Sequence, residues 1–110
     1  MHPDAYPVTL TLNTFVAHLA GSALDYLRNT SEVLKKHFKG FQTDFCEEDT
    51  VGEFRAARAQ SSYVTNFRIF QLHIVWLARG LLVTATMTVP ESGVEKGWAD
   101  LRSFVESVIL

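Results

Sequence analysis

Apolar and polar residues alternate along several stretches of this chain and recur at helical spacing in two others. Val8, Leu10 and Leu12 alternate with Thr9, Thr11 and Asn13. Period two with β-branched residues predicts a half-buried strand over about 8–13. Thr14 to Gly21 reads either as more strand or as a loop closing at Gly21. Leu24, Leu27, Ser31, Leu34 and Phe38 then share one helix face, which predicts a helix over about 22–38. Ser22 is placed to cap it, and Asp25 sits in the first turn, where the helix dipole favours an anion. Glu32 and Lys36 make a favourable pair one turn apart. Lys35, Lys36 and Lys39 crowd the other end, and Gly40 supplies a left-handed stop.

The next fifty residues read as four strands, at about 41–46, 52–63, 68–77 and 81–89. Glu47-Glu48-Asp49 reads as an acidic turn between the first two. Thr65-Asn66 marks a hairpin tip, and Arg79-Gly80 a tight turn. Pro90 ends the run. Ser92 and Glu95 form a capping-box pair. Val94, Trp98, Leu101, Val105 and Val108 follow at helical spacing, with Phe104 widening the stripe, so a helix is expected over about 93–108. Gly97 inside it costs about 1 kcal/mol against alanine, which close packing on a sheet would explain. The fold class is therefore α+β: an antiparallel five-stranded sheet with two amphipathic helices, in the order β-α-β-β-β-β-α. Residues 1–110 are expected to form a single domain with an irregular lead-in at 1–7, marked by Pro3 and Pro7.

Strand parity assigns the sheet faces. Phe70, Leu72, Ile74 and Trp76 share one side with Leu81, Val83, Ala85, Met87 and Val89. Together with Val8, Leu10 and Leu12 they form a side apolar enough to take both helices, with Trp98, Leu101, Phe104 and Val105 buried against it. The opposite side is mixed. It carries Gln71, His73, Thr84, Thr86 and Thr88, and also Ile69, Val75 and Leu82. Ile69, Gln71, His73, Val75, Leu82, Thr84 and Thr86 are the candidate interaction face, set against the plainer reading of a solvated threonine-rich surface.

Composition narrows the classes. With 110 residues, 47% hydrophobic and 20% charged, the chain is globular rather than disordered. A net charge of −2 gives no electrostatic case for nucleic acid. No stretch approaches the ~20 apolar residues of a membrane span. The N-terminus lacks the cationic start, apolar core and cleavage site of a secretory signal. Cys46 is the one cysteine, so an intrachain disulfide is impossible and a reducing, cytoplasmic setting is expected.

Candidate chemistry is sparse. His2, His18, His37 and His73 show no ligand spacing, so no metal site is expected. His37 falls on the polar side of its helix, and His2 and His18 in flexible or loop positions. His73 reads as structural or, less simply, as a ligand contact. Cys46 has no local group to lower its pKa, and Glu47, Glu48 and Asp49 would raise it. The acidic trio lacks the alternation of a calcium loop. No phosphate-loop, dinucleotide or nucleophile-elbow motif occurs. Arg55 and Arg58, three apart in a strand, point to opposite faces and cannot clamp one phosphate. No cofactor and no catalytic residue is assigned.

The order of elements, together with Pro7-Val8-Thr9-Leu10-Thr11-Leu12, the Gly40-Phe41 step, Gly52-Glu53-Phe54-Arg55-Ala56-Ala57-Arg58 and Leu81-Leu82-Val83-Thr84-Ala85-Thr86, resembles the LpqN/DcrB-type domains of the PsbP and Ran-regulator (Mog) superfamily. The resemblance covers roughly 7–108 and rests on no single diagnostic motif. It implies a binding or chaperone-like module without enzymatic activity. Two departures accompany it. The family's extra strand or hairpin ahead of the first strand is not expected in this sequence, which would leave a sheet edge open to pairing, and neither is the signal or lipobox of exported members. The expected function is a non-enzymatic protein-interaction or accessory domain. Its partner is a protein, which includes a second copy of itself in a homodimer. The alternative is a carrier holding an apolar ligand in a cavity of some hundreds of Å³ lined by Phe70, Trp76, Met87 and Trp98. A third reading, an enzyme using His73 with a nearby acid, is the weakest.

Overall fold

Four antiparallel strands in sequence make a meander, and the first strand of the chain joins its far side. The structure, a computed structural model, describes residues 9–16 and 22–109. The expected lead-in at 1–7, Val8, His2, His18 and the segment closing at Gly21 lie outside the described residues. The elements are β1 (Thr9–Val16), α1 (Ala23–His37), β2 (Gln42–Val51), β3 (Phe54–Val64), β4 (Arg68–Ala78), β5 (Leu81–Pro90) and α2 (Val94–Ile109). The sheet runs β1-β5-β4-β3-β2, with every neighbouring pair antiparallel. β1 and β2 are thus the two edges, and α1 must cross the sheet between them.

Local sequence explains the boundaries. Ser22 takes an extended conformation and its hydroxyl accepts the Asp25 N–H at 3.0 Å, opening α1. Lys35, Lys36 and His37 occupy its last turn, where the carbonyl end of the helix favours cations. β1 continues to Val16, which resolves the open reading of 14–16 as strand. β2 runs through the acidic trio rather than turning there. Glu47 pairs with Arg58 across the strands at 3.3 Å, and Asp49 with Arg102 of α2. Those cations let Glu47 and Asp49 lie in an extended strand. The turn comes later, at Gly52-Glu53, where Gly52 has φ +57° and Glu53 does not adopt positive φ. Glycine at the first position of a two-residue hairpin turn suits the twist of the flanking strands. α2 is preceded by one 3₁₀ turn, Glu91–Gly93.

The two helices lie on opposite faces, not on one. α2 packs on β4 and β5, where Leu101 and Val105 join Phe70, Leu72, Ile74, Trp76, Ala85, Met87 and Val89 in the larger core. α1 packs on β2, β3 and β4, where Ala23 and Leu27 join Ala57, Ala59, Val75 and Leu82. The expectation of a shared face fails because β4 carries buried apolar residues on both sides. Leu72, Ile74 and Trp76 point one way and Val75 the other, and all four are at most 2% exposed. Such strands read as near-continuous apolar runs and need a cover on each face. Trp98, expected in the core, is half-buried. Its ring lies along Phe45 with centroids 5.7 Å apart, and its indole N–H donates to Gln60 Oε1 at 2.8 Å.

Gly97 sits where α2 comes nearest the sheet. A Cβ there would stand 2.8 Å from Leu72 Cδ1 and 3.3 Å from Val89 Cγ1. Both neighbours are buried and cannot yield into solvent. Alanine should therefore lose by overpacking, about 1–3 kcal/mol, more than the roughly 1 kcal/mol of helix propensity it gains. Gly97→Ala should lower the urea midpoint with an unchanged slope. A raised midpoint would mean that the helix stands further from the sheet than described.

Candidate functional site

The expected interaction face is built by neighbouring positions of β4 and β5. Register places Gln71 opposite Thr88, His73 opposite Thr86, Val75 opposite Thr84 and Ile69 opposite Pro90. All seven candidates do lie on one side of the sheet, and it is the side that α1 partly covers. The apolar members are not open to water. Ile69, Val75 and Leu82 are 7%, 1% and 0% exposed, and Val75 and Leu82 belong to the core beneath α1. Val75 and Leu82 owe their apolar character to the helix above them, so they are not part of an open surface. Thr84 is also buried, while Gln71, His73 and Thr86 are half-buried.

His73 is the one polar group here with a markedly altered titration. Its Nδ1 lies 3.1 Å from Thr86 Oγ1, and Ala59 flanks it from β3. Burial removes water from the imidazolium without supplying a counter-charge, so the pKa falls to about 4. No carboxylate faces the ring from the adjoining register positions on β3 and β5, which are Ala59 and Thr86. The ring is thus desolvated and hydrogen-bonded to Thr86, with no carboxylate beside it on the neighbouring strands. Gln71 Oε1, two residues away, is buried without a hydrogen-bond partner. Cys46 sits half-buried against the α1 core. Burial pushes its thiol up, partly offset by the Arg28 guanidinium. The cause is desolvation rather than the acidic trio beside it. Among the described residues no three His, Cys, Asp or Glu side chains gather into a metal-binding group.

Where α2 meets the sheet, the packing is close at Gly97. Phe70, Trp76 and Met87 are core residues, and α2 approaches the sheet so closely that Gly97 has no room for a methyl. Two described cavities lie elsewhere. One, of about 440 Å³, is bounded by the start of α1, Arg55 and the acids Glu48 and Asp49. The other, of about 370 Å³, is a groove between Ser31, Glu32 and Lys35 of α1 and the start of β2. Neither is lined by Phe70, Trp76, Met87 or Trp98.

The feature that the sequence pattern misplaced is β1. Leu10 and Leu12 were expected in the core, yet they are 40% and 41% exposed. Residues 10 to 14 are exposed without interruption, on both faces of the strand. α1 lies over β2–β4 and α2 over β4–β5, so neither helix packs on β1. Eight residues, Thr-Leu-Thr-Leu-Asn-Thr-Phe-Val, form this edge without a charge or a proline. The opposite edge, β2, carries Asp44, Glu47, Glu48 and Asp49 and a register irregularity between Thr43 and Phe45. Charges and bulges are how sheet edges are kept from pairing, and only β2 has them.

This is the PsbP/LpqN-like fold. The chain is similar to PA94, a Pseudomonas aeruginosa protein of unknown function, with a TM-score of 0.73 and 11% identity over 94% of this chain and 75% of that one. It is similar to LpqN of Mycobacterium tuberculosis, a protein involved in cell envelope biogenesis, with a TM-score of 0.56, 17% identity and 91% of this chain covered. It also resembles the cyanobacterial PsbP of Synechocystis, with a TM-score of 0.57, 14% identity and 93% covered. The chain spans 59% of the LpqN chain and 63% of the cyanobacterial PsbP chain. No family profile matches the sequence, and no curated protein matches it. No helix among the described residues is long and apolar enough to cross a membrane.

The histidine gives a test of the β4–β5 face. In the unfolded chain His73 binds a proton near pH 6.5, and in the fold only near pH 4. Its contribution to stability is therefore present above pH 6.5 and is lost as the pH falls from 6.5 towards 4. The His73 ring proton resonances should titrate with a midpoint near 4, and His73→Gln should flatten the stability profile across that window. A midpoint near 6.5 would place the ring in open solvent.

Proposed function

We propose that this chain is a non-enzymatic accessory domain that binds a protein by strand addition to β1. The observation that carries this is the open, uncharged edge with Leu10 and Leu12 exposed beside it. Such an edge offers a row of main-chain donors and acceptors, and alternate side chains provide the grip. α1, α2 and the acidic β2 then serve as scaffold. The structural likenesses fit this reading without naming a partner, since they are to a protein of unknown function, an envelope-biogenesis protein and a cyanobacterial PsbP. The expected Ile69-to-Thr86 face is kept as a secondary contact only through Gln71, His73 and Thr86. A lone free thiol suits a reducing, cytoplasmic setting.

Photo-crosslinking in the native cell separates the two edges. A benzophenone side chain at Leu12 should give discrete protein adducts, identifiable by mass spectrometry. The same group at Thr50, exposed on β2, should give none. A folded Leu12 probe without any adduct, or equal adducts from Thr50, would overturn β1 as the working surface.

A further inference from the structure

Resting on that reading, we infer that the strand added to β1 is β1 of a second copy, paired antiparallel about a two-fold axis through Thr11. The argument begins with the difference between the edges. A β2–β2 contact would set Asp44, Glu47, Glu48 and Asp49 of two chains against one another. Like charges directly opposite are destabilising in a sheet. A β1–β2 contact would bring a neutral strand to an acidic, irregular one and would propagate without closing. β1–β1 pairing is closed, isologous and free of charge.

The strand is also complementary to itself. A two-fold axis perpendicular to the sheet keeps each face continuous, so paired positions must share parity. With Thr11 on the axis, Leu10 meets Leu12 of the second copy and Leu12 meets its Leu10. All four leucines then lie on the α2 side of the joined sheet. On the other side Thr11 meets Thr11, and position 9 meets Asn13. Centring the axis one residue later, on Leu12, matches a single leucine pair and sets each Leu10 against Thr14. The first register therefore covers more of the exposed leucine surface. Both helices pack on other strands, so neither of them stands in the path of the second sheet. The product is a ten-stranded sheet whose outer edges are the two acidic β2 strands, which again resist further pairing.

The test uses the purified full chain. Its mass in solution should be twice 12.4 kDa at tens of micromolar. Thr11→Lys sets two ammonium groups on the axis and should return the protein to 12.4 kDa, while Thr43→Lys on β2 should leave the mass doubled. Circular dichroism confirms that each variant is folded. Register is read by oxidation in a Cys46→Ser background. Thr11→Cys should form a covalent dimer, because directly opposite Cα atoms lie within the ~4.4–6.8 Å a disulfide spans. Asn13→Cys should not, because its own counterpart lies four residues along the strand, ~13 Å away. A mass of 12.4 kDa at every concentration overturns self-pairing. The adduct from the in-cell Leu12 probe then tells whether β1 serves another protein or none. A dimer that crosslinks through Asn13→Cys but not Thr11→Cys overturns the register, and so the inferred interface.

Discussion

The structure depends on one constraint: β4 carries apolar side chains on both of its faces, and both sets must be removed from water. Leu72, Ile74 and Trp76 on one side and Val75 on the other are almost fully enclosed. Burying a side chain of this kind is worth about 1.5–3 kcal/mol, so leaving either face open would cost several of them at once. One helix cannot cover two faces. The chain meets the requirement by sending α1 across one side, between β1 and β2, and returning α2 over the other after β5. Small residues let each helix come close. Ala57 and Ala59 lie beneath α1, and Gly97 faces Leu72 from α2.

Covering β4 twice has a consequence at the margin. Two helices of 15 and 16 residues cannot also reach the first strand of a five-stranded sheet. α1 is drawn towards β2 and β3, and α2 towards β4 and β5. β1 keeps its main-chain pairing with β5, but neither helix covers Leu10 to Thr14, which stay exposed. At the other edge β2 is tied down by polar means. Arg58 reaches Glu47, Arg102 reaches Asp49 and the Thr50 carbonyl, and Gln60 reaches Asp44. The two edges therefore differ in kind. One is finished with charge, while the other is a bare strand with leucines beside it, and binding is read from that difference.

The order of elements was legible because it rests on local signals. The Ser22 cap, the helical recurrence of Leu101 and Val105 and the turn at Arg79-Gly80 each act over a few residues. The acidic trio misled because three carboxylates resemble a turn until Arg58 and Arg102 are brought beside two of them. Arg102 lies more than fifty residues away in the chain. The face assignment failed for a related reason. Alternation along β4 and β5 suggests inside against outside, although Ile69, Val75 and Leu82 break it. Read as a strand covered twice, the same residues require a helix on each side. The exposure of Leu10 and Leu12 could not be read locally, since their pattern is that of any half-buried strand. It follows only once both helices are committed elsewhere.

Methyl NOE spectroscopy tests the central claim, one helix on each face of β4, most directly. The Leu27 methyls of α1 should show contacts to Val75 and Leu82 and none to Leu72 or Val89. The Leu101 methyls of α2 should join the core of Leu72, Met87 and Val89 and show none to Val75. If both helices report the same set of sheet methyls, they share a face. The two-sided burial of β4, and the bare first strand that follows from it, would then be wrong.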